Sequence, residues 1–113
     1  MHEMGIASSL LKIIKREMKR SKLKKLKKVR VKIGELTAVE PEALRFCFET
    51  SIMDTDLDGA ILEIEDVPLT GECVDCGTKF RFQHFVSLCP ACGGKKIEKL
   101  TGTELDLVSI EAV

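Results

Sequence analysis

The chain has 113 residues with 18 basic and 18 acidic side chains, a formal net charge of zero. That length fits one compact domain, or one domain with a small insert, and the balanced charge argues against a polynucleotide coat. No stretch reaches the ~18 continuous apolar residues of a membrane helix, and lysines interrupt every apolar run behind the N-terminus, so neither a membrane span nor a signal peptide is expected.

The chain opens MHEMGI. The Met1 amine and the His2 backbone nitrogen would close a five-membered chelate around a metal. The His2 backbone nitrogen and Nδ1 would close a six-membered one. With that amide deprotonated, three nitrogens lie in one plane, which suits the tetragonal preference of Ni(II) or Cu(II). Reference values near ~8 for the amine and ~6.5 for imidazole mean that both release protons to a metal near neutral pH. A fourth donor is open: the Glu3 backbone nitrogen or carboxylate, or a residue from elsewhere. Two such side chains at a chain end also fit an accidental terminus.

Residues 6–20 place Ile6, Leu10, Ile13, Ile14 and Met18 on one helical stripe. The run from Lys19 to Lys28 holds seven Lys or Arg residues. It reads either as the solvated end of that helix, where cations suit the dipole, or as a docking patch for an acidic partner or a phosphate backbone. The segment VRVKIGEL alternates as a strand. Pro41 then starts a second helix, with Leu44, Phe46 or Cys47, Phe48 and Ile52 as its apolar face and Cys47 as a buried small hydrophobe.

Asp54, Asp56, Asp58, Gly59 and Glu65 match the calcium-loop pattern D-x-D-x-D-G-x5-E. The alternating AILEIEDVPL that follows is a strand and not the required helix, so an acidic turn is the better account. Cys73-x2-Cys76 and Cys89-x2-Cys92 then stand twelve residues apart, each pair followed by a glycine. Four thiolates at this spacing predict a closed tetrahedral structural zinc site, ahead of rubredoxin-like iron and a redox dithiol, with Gly77 and Gly93 accepting the positive φ that lets backbone N–H groups wrap the sulfurs. Lys79, Arg81, Lys95 and Lys96 are placed to offset its negative charge. Five cysteines without a leader fit a reducing cytoplasm. His84, five residues before Cys89, is either a surface imidazole or a supplementary metal ligand. The chain ends on the alternating strand ELDLVSIEAV.

The expected fold is α+β: two helices packed on a three-stranded mixed sheet, with an inserted small zinc-ribbon-like domain held by four cysteines. The divisions are residues 1–70 for the body, 71–96 for the insert and 97–113 for a strand returning to the body sheet. No P-loop or nucleophile elbow appears, so a binding protein is expected and not an enzyme. A zinc ribbon that binds nucleic acid through residues 19–28 is the alternative, but it gives MHE no role.

The terminal MHE, the amphipathic helix, VRVKIGEL, VEPEALRFCFE, CxxC…CPxCG and ELDLVSIEAV together resemble the HypA/HybF family of hydrogenase nickel-incorporation proteins over nearly the whole chain. The resemblance implies a cytoplasmic nickel metallochaperone. It would hold cargo Ni2+ through Met1, His2 and Glu3, and structural Zn2+ on Cys73, Cys76, Cys89 and Cys92; His84 is an added nickel candidate that the resemblance does not carry. It further implies a HypB-type nucleotidase and the [NiFe]-hydrogenase large-subunit precursor as partners, with urease as a further client and no membrane or nucleic acid.

Overall fold

The computed structural model describes residues 3–82 and 88–113. Its elements, in chain order, are α1 (Glu3–Arg20), β1 (Leu26–Gly34), a 3-10 turn (Glu35–Thr37), α2 (Pro41–Ile52), β2 (Ile61–Val67), β3 (Thr70–Cys73), β4 (Lys79–Arg81), β5 (Ile97–Thr101) and β6 (Leu105–Ala112). Two three-stranded sheets result, ordered β2-β1-β6 and β4-β3-β5. The first is the mixed sheet expected from the alternating segments. The chain divides into two compact units: residues 1–32, 39–65 and 106–113, and residues 33–38 and 66–105.

In the first unit α1 buries Ala7, Leu10, Leu11, Ile14 and Met18. Ala7 and Ile14 are fully buried and Leu11 joins the buried face, whereas Ile6 and Ile13 of the expected stripe are half-buried. Glu3 in the first turn and Lys19 and Arg20 in the last both complement the helix dipole. The helix stops at Arg20 by a Schellman closure: Lys22 adopts φ 57, its N–H reaches Lys19 O at 3.3 Å, and Leu23 N–H reaches Met18 O at 2.8 Å. The basic run is therefore more than the end of a helix. It spans the last helical turn, a left-handed turn and the start of β1, where Leu26 is buried.

Helix α2 begins with Pro41 at its first position, where a missing N–H is harmless, and Glu40 caps it by accepting from Glu42 N–H at 2.9 Å. Leu44, Phe48 and Ile52 recur every fourth residue and are buried. Of the two residues left open, Cys47 leans inward but is only half-buried, and Phe46 is 69% exposed. Each fully buried Leu, Ile or Phe contributes roughly 1.5–3 kcal/mol.

The acidic segment behaves as a turn. The Asp58 carboxylate accepts from Asp54 N–H at 3.1 Å, Asp54 and Gly59 take positive φ, and Glu65 lies on β2. Among the described residues these acids form no metal-capable cluster.

The second unit is built on β3, paired antiparallel with β4 and β5 in the registers Gly71↔Phe80 and Cys73↔Ile97. Among the described residues its buried apolar side chains are Ile33, Leu69 and Phe82, joined by Cys73 and Cys89. Gly34 and Gly102 let two backbones meet. A Cβ on Gly34 would lie 2.2 Å from the Gly102 carbonyl, and one on Gly102 would lie 2.4 Å from Leu69 Cα. The Glu35 carboxylate accepts from Leu69 N–H at 2.8 Å and approaches Arg81 at 3.7 Å.

Candidate metal centre

Two loops of the same construction carry the cysteines. Gly77 N–H donates to Cys73 O and Gly93 N–H to Cys89 O, both at 2.9 Å, with φ of +76 and +73 at the two glycines. An L-residue with a side chain is strained at these angles, which is why each CxxC pair is followed by glycine. Each loop thus turns its two thiols the same way. The first is anchored by Cys73 N–H to Thr78 O and the second by Cys89 N–H to Gly94 O, both at 2.9 Å.

The four sulfurs all lie within 4.8 Å of one another. The closest pairs, Cys73–Cys92 and Cys76–Cys89, are 3.6 Å apart. A tetrahedron with Zn–S bonds near ~2.3 Å has edges of roughly 3.8 Å, so this donor set fits zinc, and four thiolates complete its shell. No disulfide forms; Cys73 and Cys89 are buried while Cys76 and Cys92 are exposed.

The surroundings sort the thiols. Cys76 is brought down to about 6, first by Thr78, whose hydroxyl lies 3.1 Å from its sulfur and donates once that sulfur is a thiolate. Cys92 is pushed up to about 12: the Gly94 N–H favours its thiolate, but the three neighbouring cysteines outweigh it. One proton therefore leaves readily and another is held until a cation displaces it. Ala91 N–H adds a contact to Cys89 Sγ at 3.4 Å.

Of the four cations expected to offset the charge of the sulfurs, Arg81 also approaches the Glu35 carboxylate at 3.7 Å. Thr78, Gly94 and Ala91 stabilise the sulfurs through dipoles, and sequence spacing alone does not single these three out. Gly94 also makes room, because a Cβ there would meet the sulfurs of Cys92 and Cys73 at 3.2 and 3.3 Å.

Of the N-terminal candidates, Met1 and His2 lie outside the described residues, as does His84. Glu3 is the first residue of α1, and its carboxylate accepts from Glu40 N–H at 3.1 Å. That contact sets Glu40, the cap of α2, beside the start of α1. Nothing in the spacing of residues 3 and 40 points to it.

Comparison with known proteins agrees over the full length. A family model described as "Hydrogenase/urease nickel incorporation, metallochaperone, hypA" matches residues 1–112. The hydrogenase maturation factors HypA of Geotalea uraniireducens and Geobacter metallireducens are each 40% identical over 111 residues, covering 98% of both chains. The solution structure of the nickel metallochaperone HypA from Helicobacter pylori superposes with a TM-score of 0.66 at 29% identity, covering 98% of this chain and 97% of that one. A second solution structure of a HypA protein superposes with a TM-score of 0.72 at 30% identity, covering 100% and 97%.

Proposed function

The chain belongs to the HypA family of hydrogenase/urease nickel-incorporation metallochaperones, and on that premise we propose that it takes up Ni(II) at its N-terminus and hands it to the large-subunit precursor of [NiFe]-hydrogenase. The carrying observation is the family match from residue 1, which takes in the MHE terminus. Its role is that of a carrier and not an enzyme.

The ligands proposed for nickel are the Met1 amine, the His2 backbone nitrogen and Nδ1, and Glu3. Glu40, whose N–H meets the Glu3 carboxylate, is proposed as the donor from elsewhere in the chain. His84 is a supplementary donor. The chemistry is ligand exchange. A site of few protein ligands at a chain end releases its ion to a better-equipped acceptor, and uptake weakens in acid as the amine and imidazole are protonated. Cys73, Cys76, Cys89 and Cys92 hold zinc in a closed shell that takes no part in transfer.

A HypB-type nucleotidase as a working partner, urease as a further client and the cytoplasm as the compartment belong to the same reading. Among the described residues no helix is long and apolar enough to cross a membrane. The test is a Ni(II) titration of untagged, zinc-loaded protein beside His2→Ala, with zinc counted separately. One nickel lost and zinc retained is the expected result. Equal uptake by both proteins overturns the reading, and unchanged nickel affinity in His84→Ala removes His84 from the ligand set.

A further inference from the structure

Among the described residues strand β6 forms an edge of its sheet, with β1 as its one neighbour. It is eight residues long, and Leu105 and Val108 are about half exposed. An uncovered edge presents unpaired N–H and C=O groups along ~3.3 Å per residue, a template that another extended chain can complete.

Beside it, the end of α1 and the turn that follows enclose a groove of about 340 Å³, lined by Met18, Ser21, Leu23, Leu107, Val108 and Ile110. The Schellman closure that brings Leu23 back toward Met18 forms its wall. Glu17 also lines the groove but is ion-paired with Arg20 at 2.9 Å.

The charge around this groove is one-sided. Lys22 stands between the lining residues Ser21 and Leu23. Lys24 and Lys25 both donate backbone N–H groups to Val113 O at 2.9 Å, and Lys25 O accepts in return from Val113 N–H at 2.9 Å, which fixes them against the end of β6. Among the described residues Lys19, Lys22, Lys24, Lys25 and Lys27 carry no ion pair, whereas Lys28 is held by Glu63 at 3.0 Å. Against these five lysines, β6 itself carries two acids, Asp106 and Glu111.

We infer that the β6 edge and its groove dock an extended acidic segment of a partner protein, one that alternates acidic and apolar residues. It would add as a strand to β6, set its apolar side chains into the groove and its carboxylates toward the Lys22–Lys25 end. The apolar lining and the open backbone edge favour a peptide over a polynucleotide. Base stacking needs exposed aromatic rings, and no Phe lines the groove. The inference does not depend on nickel binding.

The test uses the full zinc-loaded, nickel-free chain and a fluorescein-labelled nine-residue peptide alternating Glu with Val, followed by anisotropy. Saturable binding is expected, weakened at least about tenfold when alternate peptide nitrogens are methylated and by a similar factor in the triple variant Lys22→Glu, Lys24→Glu, Lys25→Glu. The methylated probe works on the unaltered protein, so a poorly folding variant leaves the test intact. No binding, equal affinity for the methylated peptide, or tighter capture of a labelled oligothymidylate overturns the proposal. So does a dimer in sedimentation equilibrium that the peptide cannot displace, which would assign the edge to a second copy.

Discussion

Removing the metal from the four cysteines should unfold the second unit and spare the first. In the second unit the buried apolar side chains among the described residues are Ile33, Leu69 and Phe82, at 3%, 2% and 7% exposure. At roughly 1.5–3 kcal/mol each they supply about 5–9 kcal/mol. A structural zinc ion in a small module contributes on the order of 10–16 kcal/mol, which exceeds what those three side chains provide. Stripping it also leaves Cys73 and Cys89 buried without their partner. Hydrogen exchange read by mass spectrometry, before and after chelation with metal content measured, is the assay. The amides of Cys73, Val74 and Phe82, bonded to Thr78 O, Lys96 O and Leu69 O, should exchange at least about a hundredfold faster without metal. Those of α1, packed through Ala7, Leu10 and Ile14, should keep their protection. Full protection at Cys73, Val74 and Phe82 in protein shown to be metal-free would refute the reasoning.

Other outcomes follow from the same geometry. Zinc affinity, measured by competition with a chromophoric chelator, should rise at least about tenfold per pH unit above neutrality, since Cys92, held up to about 12, surrenders its proton to the metal. Below the value of about 6 at Cys76 the slope should steepen, because that thiolate is then protonated as well. Gly102→Ala adds a Cβ 2.4 Å from Leu69 Cα at a φ of +106, and should destabilise the second unit by about 3 kcal/mol or more in denaturant titrations. Phe48→Ala empties a fully buried site and should cost about 3–5 kcal/mol in urea unfolding, carried by the first unit. Glu63 has its carboxyl lowered, chiefly by hydrogen bonding from Lys28 and then Arg30. Its contribution is present above its unfolded value and lost as pH falls through the folded one, so Glu63→Gln should lower the melting midpoint at pH 7, by an amount that shrinks as the pH is taken down into acid.

Long periodic segments are readable in the sequence alone. Eighteen residues of α1 repeat their apolar stripe often enough to mark a helix, and β1, β2 and β6 alternate over seven to nine residues. The second sheet is not readable, for a reason of length. Strands β3 and β4 have four and three residues, TGEC and KFR, too few to display a period of two. Helix α1 ends where its cap demands, and the lysine at the left-handed position hides that stop, since glycine is the usual signal there. The four cysteines announce the metal centre by spacing. Thr78 and Gly94, which favour the thiolates of Cys76 and Cys92, act through contacts that spacing does not encode. The same holds for Glu40, which reaches Glu3 across thirty-seven positions of sequence.

Lys22 bears on how such a chain could be redesigned. It occupies a left-handed conformation at φ 57, where an L-residue with a side chain is disfavoured by roughly 1–2 kcal/mol and glycine is not. A procedure that ranks substitutions by folding free energy would choose Lys22→Gly early. It would deliver a sturdier protein with one cation fewer at the mouth of the β6 groove. On the proposed docking, stability and recognition would pull this one backbone position in opposite directions.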